Sequence, residues 1–124
     1  MADVQIVSVD VGAYTGSTHH PLIKVPNGYG GVSILEAAVI GDGAGTAVGL
    51  KLVTTADVSA TGGTPAINGT VGAFAGTIVL AEGVVHNCTI STPFVDEDYW
   101  IGLDQSSGTA ATNTVLSLSY AMGK

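Results

Sequence analysis

The sequence predicts an all-β chain: a single-domain antiparallel β-sandwich, jelly-roll or immunoglobulin-like in strand order, preceded by an extended N-terminal arm. Three observations predict it. Strand formers dominate, with 16 Val, 14 Thr and 8 Ile against 3 Glu, 2 Gln, 3 Lys and no Arg. Apolar and polar residues alternate with period two in several short stretches, and no long run keeps a helical apolar stripe free of glycine. Turn-forming clusters separate those stretches: Asn27-Gly28, Asp42-Gly43, Gly62-Gly63-Thr64-Pro65, Asn68-Gly69, Glu82-Gly83 and Ser106-Ser107-Gly108. A chain of 124 residues has room for one such domain and not for two.

Taken in order, Val7, Val9 and Val11 alternate with Ser8 and Asp10, while Val4 and Ile6 sit in the other phase. That phase change predicts a bulge or a strand that changes partner. Residues 12–31 hold Tyr14, His19, His20, Pro21, Pro26 and several glycines with little alternation, so residues 1–31 read as an arm or long connection and residues 32–124 as the sandwich body. Within the body, strands are expected at Val32–Ile40, Thr46–Val53, Gly76–Ala81, Val84–Ser91, Tyr99–Leu103 and Thr114–Met122. In the last, Leu116, Leu118, Tyr120 and Met122 share one face; in Thr46–Val53, Val48, Leu50 and Leu52 do.

Composition narrows the function. Charged residues make up 10% of the chain, against roughly a quarter in ordinary domains. Ten acids face three lysines, for a net charge of −7, which speaks against nucleic-acid or anionic-membrane binding. The longest charge-free run, Val58–Ala81, is interrupted by Gly62, Gly63, Pro65, Asn68 and Gly69 and is unsuited to span a bilayer. The start MADVQIVSVD has neither a basic n-region nor an apolar h-region, so no classical secretion is expected. One cysteine, Cys88, allows no internal disulfide. Leu, Ile, Val and Phe number 34, enough to build a core. A surface of Thr, Ser, Gly, Ala and apolar residues is cheap to desolvate, which suits homo-oligomerisation and attachment to a larger assembly.

No catalytic, cofactor-binding or metal-ligating residue is assigned, and the chain is read as a non-enzyme. Gly41-Asp42-Gly43-Ala44-Gly45 resembles a phosphate loop only superficially, because a strand pattern follows it where a helix is needed. His86 and Cys88 alternate with Val84 and Ile90 and are expected as a buried thiol beside a histidine, with no Asn or Asp placed to orient the imidazole. Asp96-Glu97-Asp98 with Asp104 lacks calcium-loop spacing and is expected to be a solvated acidic loop. His19 and His20, as neighbours, point to opposite sides of an extended chain. The glycosylation patterns at Asn68 and Asn87 carry no weight without a secretion signal. Tyr99, Trp100, Phe94 and Tyr120 are needed for a core, and Trp100 is expected there rather than on a sugar-stacking platform.

Three segments, GGVSILEAAVIGDGAGTAVGLKLVTT (30–55), TISTPFVDEDYWIGLD (89–104) and TNTVLSLSYAMGK (112–124), resemble a group of small proteins encoded among tailed-bacteriophage virion genes. The resemblance implies a virion structural protein. Specifically, it implies a head decoration or cement protein that forms a homotrimer and clamps subunits of the phage major capsid protein. It places the chain on the outer surface of the capsid after synthesis in the bacterial host cytoplasm. The alternative is a tail-tip or fibre β-module that binds a host-receptor glycan.

Overall fold

The alternation in the sequence is realised as thirteen strands in a computed structural model, which describes residues 4–11, 19–41, 45–55, 67–80, 83–109 and 114–123. No helix occurs among the described residues. In chain order the strands are β1 (Val4–Asp10), β2 (His19–Lys24), β3 (Val32–Gly41), β4 (Thr46–Val48) and β5 (Lys51–Thr55). Next come β6 (Ile67–Ala73), β7 (Thr77–Val79), β8 (Val85–Asn87), β9 (Thr89–Ile90) and β10 (Phe94–Val95). β11 (Trp100–Asp104), β12 (Ser107–Thr109) and β13 (Thr114–Met122) complete the set.

These strands form three antiparallel sheets. The first runs β1-β13-β3-β10, with β8 also paired to β3; the second runs β2-β11-β5-β6-β9; the third, small one runs β12-β4-β7. One hydrophobic core lies between them. The first sheet supplies Ile34, Ala37, Val39, Leu116, Leu118 and Tyr120, the second Leu52, Val71, Ile101 and Leu103, and the third Ala47 and Ile78. The period-two pattern of β13 explains its part: Leu116, Leu118 and Tyr120 turn inward while Ser117 and Ser119 turn out. Burying each such leucine is worth about 1.5–3 kcal/mol. The all-β sandwich of the sequence reading therefore holds.

Three details differ from expectation. The phase change at Ile6/Val7 makes no bulge: β1 pairs with β13 in unbroken register from Val4↔Ala121 to Asp10↔Val115. Val7 simply turns toward the core, leaving Ile6 and Val4 at 76% and 56% exposure. The irregularity lies instead in the β13–β3 pair, where Ser119 meets Glu36 and Tyr120 meets Ile34, so that Leu35 is the extra residue. Second, the strand expected at Thr46–Val53 is broken after Val48 by Gly49, which has φ 63°. A side chain there would also collide with the Ser106 hydroxyl. The turn moves the chain from the third sheet to the second and undoes the shared face of Val48 and Leu50. Third, Val84–Ser91 is divided at Cys88, with β8 in the first sheet and β9 in the second.

Within residues 1–31, expected as an arm or long connection, β1 and β2 form the edges of two different sheets. Edge strands face solvent on one side and bury little, which is why their sequences alternate weakly.

Candidate functional site

The candidate chemistry resolves into structural roles. Cys88 sits where the chain passes between sheets; its backbone N–H donates to the Ala37 carbonyl at 2.8 Å and its Sγ lies 3.8 Å from the Thr89 carbonyl. Burial pushes the thiol up to about 11, so at neutral pH it is protonated and a poor nucleophile. His86 does not serve it: His86 Nε2 lies 2.8 Å from the Val79 carbonyl, an acceptor only, and therefore donates its proton there. The pair ties β8 to the end of β7 and makes no thiol–imidazole couple.

Among the acids, Asp96 and Asp98 are exposed as expected, but Glu97 is engaged. Its Oε2 accepts the backbone N–H groups of Gly28 at 2.9 Å and Gly30 at 3.2 Å. The Lys24 ammonium adds a third tie by donating to the Glu97 carbonyl at 2.6 Å. The carboxylate thereby fills the concave turn formed by Asn27-Gly28-Tyr29-Gly30-Gly31, whose three glycines all have positive φ. The clamp joins the β2–β3 loop to the β10–β11 loop and holds Tyr29 outward, 57% exposed. No group of three or more His, Cys, Asp or Glu side chains that could hold a metal ion is found among the described residues. His19 and His20 fall opposite Asp104 and Leu103 in the β2–β11 register. The residues 42–44 of the glycine-rich turn lie outside the described residues; Gly41 and Gly45 beside them lead from β3 into β4, strand to strand.

The aromatic residues do not share a surface. Tyr120 is in the core, Tyr99 packs against it, and the Phe94 ring lies over Gly31. Trp100, expected in the core, sits on the opposite face of β11 from Ile101 and Leu103, and its indole N–H is buried with no partner among the described residues.

What the fold does expose is the outer face of the first sheet. Ser117, Ser119 and Ala38 form a floor of small side chains, with Val4 and Ile6 rising at the β1 side and Asn87 at the β8 side. Together with Glu36 they line a shallow, open depression. The sequence reading anticipated a small-residue surface in general terms but did not locate it, because the location depends on which strands pair.

Neither a known protein-family model nor a curated protein sequence matches the chain. Solved structures do. A chain of the capsid of Ralstonia phage GP4 is similar over 100% of this chain and 88% of its own length, with a TM-score of 0.70 and 19% identity. A chain of the cyanophage Pam1 capsid asymmetric unit is similar over 98% of this chain and 86% of its own, with a TM-score of 0.51 and 14% identity. At such identities the likeness is one of fold.

Proposed function

We propose that this chain is a non-enzymatic virion structural protein of a tailed bacteriophage, a head decoration (cement) protein that binds the assembled shell from outside as a homo-oligomer. The observation that carries the reading is the end-to-end likeness in fold to a chain of a phage capsid, at a TM-score of 0.70. The second capsid likeness and the weakly charged, small-residue surface support it. In this reading the protein is made in the host cytoplasm and ends on the capsid surface, as a trimer that bridges subunits of the major capsid protein. In the same reading residues 1–31 act as its N-terminal arm or connection and residues 32–124 as its body.

The mechanism is linkage. A protein that binds the expanded shell and not its precursor stabilises the expanded state, by an amount that grows with its free concentration. Many identical contacts across a lattice act together, so each one is allowed to be weak. A sparsely charged surface of small side chains serves this by allowing close backbone approach at low desolvation cost.

The test is co-sedimentation with tailed-phage heads assembled from candidate major capsid proteins, in expanded and unexpanded form. Saturable binding to expanded heads alone is expected. Absence of binding to either form overturns the reading, and glycan binding in its place would support the tail-tip or fibre alternative.

A further inference from the structure

We infer that Tyr29 is a docking anchor: a phenol held outward on a pre-ordered turn, which enters an apolar pocket rimmed by Lys or Arg on a shell subunit. The inference deepens the proposed function and rests on it, since the partner is the shell.

What sets Tyr29 apart is how firmly its backbone is held while its side chain stays 57% exposed. Two segments distant in sequence brace the turn. From the β10–β11 loop, Glu97 Oε2 accepts the N–H groups of the residues on either side of Tyr29, Gly28 at 2.9 Å and Gly30 at 3.2 Å. The Lys24 ammonium ties the end of β2 to the same loop through the Glu97 carbonyl, at 2.6 Å. From beyond β13, Gly123 N–H donates to the Gly31 carbonyl at 2.8 Å, and the Gly123 carbonyl in turn accepts the Ser33 hydroxyl at 3.2 Å. Pro26 fixes its own φ at the entry to the turn.

Ordering a backbone costs conformational entropy, which burial normally offsets. Here Asn27, Gly28, Tyr29 and Gly30 are all exposed, so the folded chain buries little in return. The bracing makes sense for binding instead. A turn fixed in the free protein loses little further freedom on association, and a tyrosine has only two χ angles left to fix. Tyrosine is also one of the residues that dominate binding energy where it fills a partner's pocket.

Charge selects the partner. Asp96 and Asp98, both exposed, flank Glu97 on the loop that clamps the turn, so the surface beside Tyr29 is acidic. A second copy matches it poorly, because the chain has three lysines against ten acids. Lys24 is bound into the clamp itself, and Lys51 falls opposite Asp104 in the β5–β11 register. A shell subunit with Lys or Arg around the pocket suits both the carboxylates and the ring face, and a guanidinium serves either.

The test is co-sedimentation of the full chain with expanded tailed-phage heads, comparing wild type with Tyr29→Ala, Glu97→Ala and the double variant. Tyr29→Ala is expected to weaken binding at least about tenfold, while the native mass and thermal unfolding of the free chain stay as in wild type. Glu97→Ala is expected to weaken binding less, and to add nothing in the Tyr29→Ala background, because a loosened turn acts only through the side chain it carries. Wild-type binding is expected to weaken as salt is raised, and Asp96→Asn with Asp98→Asn to flatten that dependence. The salt series on wild type decides even where a variant fails to fold. A folded Tyr29→Ala chain that binds like wild type, or wild-type binding indifferent to salt, overturns the inference and leaves shell binding standing. A lower native mass for Tyr29→Ala would assign the anchor to a second copy and overturn it as well. A wild type that binds no heads overturns the reading and the inference together.

Discussion

Replacing Glu97 with alanine removes a single carboxylate and unlatches two loops. The carboxylate accepts two backbone N–H bonds, from Gly28 and Gly30, while the Lys24 ammonium bonds the Glu97 main-chain carbonyl, which the variant retains. Hydrogen bonds to a charged group contribute about 1.5–3 kcal/mol where they are shielded. Here the loop is exposed and water replaces the lost acceptor, so about 1–2 kcal/mol for the pair is the expected loss. For a chain of this length that corresponds to a Tm lower by roughly 3–8 °C. Glu97→Gln keeps an acceptor oxygen and loses the charge, so it should fall between the two. Thermal unfolding followed by circular dichroism measures all three proteins under one condition. A loss below about 0.5 kcal/mol for Glu97→Ala, the size of an ordinary surface substitution, would refute the clamp.

Other outcomes follow from the core and its margins. Leu118→Ala, at a fully buried position, should cost about 2–5 kcal/mol in denaturant unfolding, where an exposed Leu35→Ala should cost far less. The raised Cys88 thiol means that the folded chain holds its proton above the unfolded value of 9.0. Stability is therefore unaffected below pH 9 and falls as pH rises from 9 toward 11, because only the unfolded thiol ionises there; Cys88→Ala should flatten that part of the stability–pH curve relative to wild type. Trp100→Phe deletes a buried donor that has no partner among the described residues, which offsets part of the packing lost with the larger ring, so it should cost less than the roughly 3–5 kcal/mol typical of an aromatic-to-alanine truncation, as Trp100→Ala measured beside it should show. Equal losses for Trp100→Phe and Trp100→Ala in denaturant unfolding would contradict this.

Legibility followed burial. β13 was readable to the residue, Thr114–Met122, because four apolar side chains alternate without interruption and all point inward or toward the sheet end. β3 was readable to within one residue for the same reason. The break at Gly49 was not, since the alternation runs straight through it; the backbone there turns through positive φ, and the space a side chain would need is taken by Ser106, 57 residues away. β2 was hidden by Pro21, which signals a loop in sequence yet is tolerated on an edge strand. The engagement of Glu97 was invisible because its partners, Gly28 and Gly30, lie 69 and 67 residues away. Asn27-Gly28 announced a turn, and three glycines in five residues were the one available sign that backbone N–H groups would converge. The sequence set His86 beside the Cys88 thiol; it carried no sign of the Val79 carbonyl, on another strand, that His86 binds instead.

The central claim, that this protein acts by stabilising an assembled shell, is tested most directly by calorimetry of expanded heads titrated with the purified chain. The temperature of head disruption should rise with added protein and level off at full occupancy, while unexpanded heads should melt unchanged. A disruption temperature that stays constant across the titration would contradict it.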